Sequence, residues 1–237
     1  MNGFNYNDIF QTKGIEYLVI IAFLLSLILF WRIINRKVPV MKQVQKVLET
    51  LTIEILKIPR GVFYGRAHTW THLEKSGIAQ VGLDDFLLHL TGEVKLSRFK
   101  NDGDFIRKGE IMTELNRNGK VLRVFSPISG MIVGINPLLE ADPSKIIKDP
   151  YEQGWIYRIE PSDWMMETGS YRYGDDAVGW FRNELDHFKD FVSTVVAKNS
   201  PETSGMVMQS GGELLDHPLA ELPGEIWQDF QDEFLRT

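Results

Sequence analysis

His68 and His72 lie four residues apart, the first spacing in the chain that could do chemistry. On a helix it would put two imidazoles on one face, as a metal pair requires. The neighbours Trp70 and Leu73 predict a strand instead, in which residues 68, 70 and 72 merely share a side. No carboxylate-rich cluster completes a ligand set, so no metal is expected. His89, His187 and His217 stand alone and read as structural or exposed residues. Ser210-Gly211-Gly212 lacks the strand and helix that a nucleotide-binding glycine loop needs, and there is no Walker motif. No serine, histidine and acid fall into a recognisable catalytic arrangement. The chain has no cysteine. That excludes disulfides, thiolate zinc, cysteine-ligated iron–sulfur clusters and covalent haem in this chain. No catalytic residue and no cofactor are therefore expected. Arg117 and Lys120 flank Asn118-Gly119. An arginine there stays protonated and cannot be acylated as a lysine amine is.

The elements that must hold these residues follow from patterning. Of 237 residues, 43% are hydrophobic and 24% charged, which predicts a mainly folded protein with a real core. Residues 61–163 read as short strands and turns, punctuated by Lys75-Ser76-Gly77, Asn101-Asp102-Gly103-Asp104, Asn118-Gly119 and Ser129-Gly130. Asn118-Gly119 is a two-residue hairpin signal, because a type I′ turn needs positive φ at both positions. Asp84-Asp85-Phe86-Leu87-Leu88 could begin a short helix. Val178, Phe181, Leu185, Phe188, Val192 and Val195 recur at three- and four-residue steps, predicting an amphipathic helix over 175–197. A polar linker is expected over 199–212. Pro223 then suits the first turn of a last helix with Ile226, Trp227, Phe230 and Phe234 on one face. Gln228, Asp229, Gln231, Asp232 and Glu233 would face water. Trp and Phe on one helical side suit a partner's groove, so this face is expected to bind another subunit. The alternative is that the helix covers its own domain. Trp164, Met165 and Met166 are expected in the core.

Tyr17–Trp31 is apolar except for Ser26, and the run 15–34 has the roughly 20 residues a membrane-spanning helix needs. Tyr17 and Trp31 suit the two interfaces, and Arg32 can snorkel. A signal peptide fits less well, since the front is poor in basic residues and Phe30-Trp31-Arg32 is a poor cleavage site. Arg32, Arg36 and Lys37 begin a basic neck that should stay cytoplasmic, leaving the N-terminus outside. Val40, Val44, Val47, Leu48, Leu51 and Ile55 then predict a basic amphipathic helix over 38–60, packed on its own domain or on lipid or a membrane partner. From Asn199 onward there are eight acidic residues and only Arg236. The net charge of −6 argues against nucleic acid.

A set of ordered motifs adds a family. Glu114-Leu115-Asn116-Arg117-Asn118-Gly119 followed by Ser126-Pro127-Ile128-Ser129-Gly130 resembles the lipoyl hairpin of the glycine cleavage H-protein. That family has Glu-x-x-Lys in the turn and Ser-Pro-[Val/Ile]-Ser-Gly on the return strand. His68-Thr69-Trp70, Val81-Gly82-Leu83-Asp84-Asp85-Phe86, Ile106-Arg107-Lys108-Gly109-Glu110 and Asn136-Pro137-Leu138 resemble further family motifs. Asp149-Pro150-Tyr151-Glu152-Gln153-Gly154-Trp155 and Pro161-Ser162-Asp163 resemble its closing signature. Together they cover residues 65–163. The resemblance implies the flattened two-sheet β-sandwich, and with the helices read from patterning it makes an α+β chain. Its centre would be the flattened lipoyl/biotinyl-type β-sandwich at 61–163, between a transmembrane anchor over 1–37 and an acidic helical extension over 164–237. It departs from the family at its reacting residue. Counted from Glu114, the lysine slot holds Arg117; counted back from Ser126, it holds Gly119. The hairpin is two residues longer than usual.

The reading that follows is a non-enzymatic, single-pass subunit of a bacterial or archaeal cell-membrane complex, with an unlipoylated domain as its cytoplasmic docking platform. By analogy the setting is an anaerobic respiratory complex with cytochrome b and iron–sulfur partners. The alternative is a membrane-tethered acyl carrier modified at Lys120.

Overall fold

The computed structural model describes residues 9–34, 51–199 and 217–236. Two units separate, Met1–Met41 and Lys42–Thr237. In the first, helix α1 (Ile9–Ile34) runs through the apolar stretch without a break. Its described side chains, residues 17–32, are exposed, including Tyr17, Trp31 and Arg32. Among the described residues, no helix is long and apolar enough to cross a membrane. Arg36, Lys37 and the start of the expected 38–60 helix lie outside the described residues. The end of that expected helix differs from expectation. Ile53–Ile55 is a single 3-10 turn, and Thr52 before it is extended. Tertiary ties decide this: Leu51 and Leu56 are buried, and the Lys57 backbone N–H donates to Asp85 Oδ2 at 2.7 Å.

The second unit is built on two antiparallel sheets. Strands β1 (Phe63–Tyr64), β2 (Thr69–Leu73), β3 (Ala79–Leu83), β5 (Phe105–Ile106), β8 (Gly130–Ile135), β9 (Tyr157–Pro161) and β10 (Arg172–Tyr173) form a seven-stranded sheet in the order β10-β1-β2-β3-β9-β8-β5. Strands β4 (Lys95–Arg98), β6 (Ile111–Arg117) and β7 (Lys120–Phe125) form the second, in the order β4-β6-β7, so β7 is an edge. Trp70, Val81, Leu83, Ile132, Tyr157 and Ile159 of the large sheet are buried, as are Met112, Leu115, Leu122 and Val124 of the small one. Strand alternation produces these sets, since every second side chain shares a face. The sheet runs past the expected boundary at 163, because Tyr173 pairs with Phe63 and Arg172 with Tyr64.

Ser129-Gly130, read from sequence as a turn, starts β8. The glycine is needed for packing: a Cβ there would sit 2.1 Å from the Glu160 carbonyl oxygen across the sheet. After the sandwich, α5 (Trp164–Thr168) follows two four-residue helices, α3 (Leu138–Ala141) and α4 (Lys145–Lys148). Met165 and Met166 are about four-fifths exposed, contrary to the expected core placement; only Trp164 turns inward, edge-on to Phe63 at 5.5 Å. Earlier in the chain, Asp84 caps α2 (Asp85–Thr91) by accepting from the Leu87 N–H at 2.9 Å.

Helix α6 (Asp175–Asn199) buries Ala177, Phe181, Leu185, Phe188, Phe191, Val192 and Val195, the expected stripe with Val178 only half inside. The chain ends in α7 (Pro218–Glu221), α8 (Gly224–Phe230) and a π-helical turn, Gln231–Leu235.

Candidate functional site

The site of interest is the β6–β7 hairpin tip. Arg117 pairs with Lys120 on its last rung, and Asn118 and Gly119 between them have φ of +53° and +83°. Both are positive, as the type I′ turn requires. At the other end of the hairpin the register shifts between Ile111 and Thr113.

Arg117 does not project from the tip. Its Nη1 donates to the carbonyl oxygens of Thr91 at 3.1 Å and Glu93 at 3.2 Å. Those carbonyls close the C-terminal end of α2, where the helix dipole favours a cation. Gly92 between them makes the room. It has φ +65°, and a Cβ on it would lie 2.6 Å from Arg117 Nη1 and 2.7 Å from His217 Cγ. The arginine is a fitted cap on a neighbouring helix. It also lines a cleft of ≈ 550 Å³ between the hairpin tip and the loop around Pro143 and Ser144.

Lys120 is likewise engaged. Its Nζ donates to the carbonyl oxygens of Ala220 at 3.0 Å and Leu222 at 2.6 Å, and lies 5.8 Å from the centre of the Trp227 ring.

Ile226, Trp227, Phe230 and Phe234 therefore need correcting as partner-binding residues: all four are buried within this chain, none more than 4% exposed. Helix α8 lies on β7. Phe230 packs with Phe188 and Phe191 of α6 and stacks on Phe234 at 4.6 Å. Trp227 Nε1 donates to the Leu219 carbonyl at 2.6 Å. The physical reason is that α6 and β7 leave an apolar trough, and the one apolar face of the last helix fills it. Gln231, expected in water, is 7% exposed. Its side-chain amide pairs with the backbone of edge strand β7, accepting from the Arg123 N–H at 2.5 Å and donating to the Arg123 carbonyl at 3.0 Å.

A second cluster was not foreseen. His68 is fully buried with φ +54° and lies between Phe86 and Trp180. Its Nδ1 is 2.9 Å from Asp84, and its Nε2 is 3.8 Å from Glu184 of α6. Burial opposes its charge, but Asp84 and Glu184 outweigh it and hold the imidazole above its usual range. Glu184 is 3.7 Å from His187, which meets Glu233 at 2.8 Å. Acids and imidazoles thus alternate from the sandwich through α6 to the last turn. His72 faces elsewhere, with Nδ1 2.7 Å from the Gly61 carbonyl, so the two histidines do not converge. Among the described residues, no group of three or more His, Asp or Glu could hold a metal ion.

The two-sheet sandwich, with a tight hairpin on its small sheet beside a capped helix, is the kind of fold the motif resemblance implied. Residues 62–171 match the family described as Glycine cleavage H-protein. The glycine cleavage system H protein of Anaeromyxobacter sp. (strain K) is 37% identical over 108 residues, 46% of this chain and 84% of that protein. That of Hydrogenovibrio crunogenus is 31% identical over 106 residues, 45% and 82% respectively. The crystal structure of a glycine cleavage system H protein from Mycobacterium marinum covers 52% of this chain and 98% of that one, with 25% identity and a TM-score of 0.46. The chain belongs to the glycine cleavage H-protein family. Members are lipoyl carriers rather than enzymes, and this chain is not an enzyme.

Proposed function

We propose that this chain is a membrane-anchored accessory subunit of a multi-subunit membrane complex, with its H-protein-like domain as an unlipoylated docking platform. One observation carries the reading. The family's lysine slot, counted from Glu114, holds an arginine whose head is built into the end of α2 over Gly92. A residue with that packing role has no spare geometry for a swinging arm, and its guanidinium cannot form the amide. The apolar run of α1 and the basic residues that follow it support an anchor with the N-terminus outside and the domain in the cytoplasm of a bacterial or archaeal cell. An electron-transfer complex is the setting proposed, by analogy. Its redox centres would sit on cytochrome b and iron–sulfur partners, because this chain has no cysteine to hold a cluster.

The test is gentle detergent extraction, identification of co-purifying subunits and intact mass of the chain. Integral-membrane and redox subunits with an unmodified mass are expected. A chain washed off by carbonate, or isolated alone, would refute it. Protease added to sealed, right-side-out cells should spare the domain.

A second reading, a tethered acyl carrier modified at Lys120, is favoured by the position of that lysine. It occupies the rung opposite Arg117 at the tip where the family carries its arm. An acyl mass increment mapped to Lys120 would establish it.

A further inference from the structure

We propose that residues 217–236 form an intramolecular gate over Lys120. Closed, as in this structure, the gate withholds the ε-amine from acylation; open, it delivers it together with the edge of β7. The proposal rests on the second reading above for its biological outcome, but its first measurement does not depend on that reading.

Three contacts define the closed state. The Ala220 and Leu222 carbonyls accept from Lys120 Nζ, with the Trp227 ring alongside. Gln231 holds the Arg123 N–H and carbonyl of β7 through its side-chain amide. Glu233 holds His187 of α6. Acylation needs the neutral amine to attack the carbonyl carbon of an activated ester or thioester. A C–N bond forms, the alcohol or thiol leaves, and one ammonium proton goes to solvent. A half-buried amine whose N–H groups point into two carbonyls beside an indole meets an acyl donor slowly.

The segment can part from the domain without unpairing either sheet. Its described residues contribute no strand to either sheet. Among the described strands the ladders lie between residues 63 and 173, so opening leaves those ladders intact. Its grip on β7 is a side chain's, where a partner strand would make many bonds. Opening exposes the buried face of Ile226, Trp227, Phe230 and Phe234, so it is a rare local event that leaves both sheets paired.

The test is brief acetylation of the full-length detergent-solubilised chain with an N-hydroxysuccinimide ester, followed by peptide mass spectrometry. Exposed Lys75 is the reference in the same molecule. In the wild type, Lys120 should react at least about tenfold more slowly than Lys75, a ratio equivalent to about 1.4 kcal/mol. Gln231→Ala should raise the Lys120 rate several-fold. Gln231→Ala with Trp227→Ala should bring it within about twofold of Lys75 while β2–β3 amides keep their exchange protection. If the double variant loses that protection, Gln231→Ala alone decides. Equal rates in the wild type, or no change in Gln231→Ala, would overturn the gate. Faster labelling without any acyl mass in cells supplied with lipoate would keep the gate and reject the acceptor reading.

Discussion

Phe230→Ala separates a helix that belongs to this fold from one that serves a partner. Phe230 is 0% exposed and touches three other phenylalanine rings, with centroids 6.0 Å (Phe188), 6.1 Å (Phe191) and 4.6 Å (Phe234) away. Deleting a buried phenylalanine costs about 3–5 kcal/mol, part transfer and part cavity. Two of its pairs are near-perpendicular, at 80° and 70°, a geometry worth about 0.5–1.5 kcal/mol each beyond buried area. The walls are helix α6 and strand β7, which cannot collapse freely into the void, so the upper half of the range is expected. For a unit of this size each kcal/mol lowers Tm by about 2–4 °C, giving a fall of roughly 8–20 °C. Thermal unfolding of the full chain, followed by circular dichroism against wild type, measures it. Asp229→Ala on the exposed side of the same helix should stay within about 0.5 kcal/mol. If Phe230→Ala moved Tm no more than that control and instead released co-purifying subunits, the helix would be an interface and the intramolecular account would be wrong.

Three further outcomes are expected. His68 has its pKa raised in the fold, so its contribution to stability is complete below its ordinary value of about 6.5 and disappears as pH rises through the native value. Denaturant unfolding across that window should show the decline in wild type and a flat line in His68→Gln; a wild-type decline toward lower pH in the same window would reverse the sign and refute it. Arg117→Lys should lose about 1 kcal/mol with the helix cap and gain no lipoyl mass when co-expressed with a lipoate ligase, because the hairpin keeps its extra residues. Efficient lipoylation would make the arginine the sole defect. Gly130→Ala should cost about 3 kcal/mol or more, the upper end of overpacking, since its Cβ meets the Glu160 backbone oxygen. Unchanged unfolding would mean the two strands can part cheaply.

The sandwich was legible because its information is local. Asn118-Gly119 announced positive φ at both turn positions, and Asp84-Asp85-Phe86-Leu87-Leu88 announced the start of a short helix. Alternation and turn residues supply period and punctuation without reference to distant chain. The occupied state of the tip was not legible. Arg117 finds its acceptors across the sheet at the end of α2, and Lys120 finds its own a hundred residues on. The three- and four-residue steps of Ile226, Trp227, Phe230 and Phe234 report that a face is apolar, and nothing in a period says whose core it enters. Gln231 looked solvent-facing for the same reason: only the unpaired edge of β7 gives a buried amide two partners. Gly92 offered a usable signal, since a glycine closing a helix beside a hairpin leaves room for a foreign side chain.

The Gln231–Arg123 pairing also sets an order of events in the making of this protein. Arg123 on the edge of β7 is made 108 residues before the side chain that blunts it. Until residues 217–236 leave the ribosome, the nascent domain carries an open edge that can template pairing with any other strand nearby. A chain cut short between α6 and α7 would keep its sandwich and lose its guard. A molecule that carries residues 217–236 has a closed edge, and one that lacks them presents a sticky strand that chaperones and proteases can recognise.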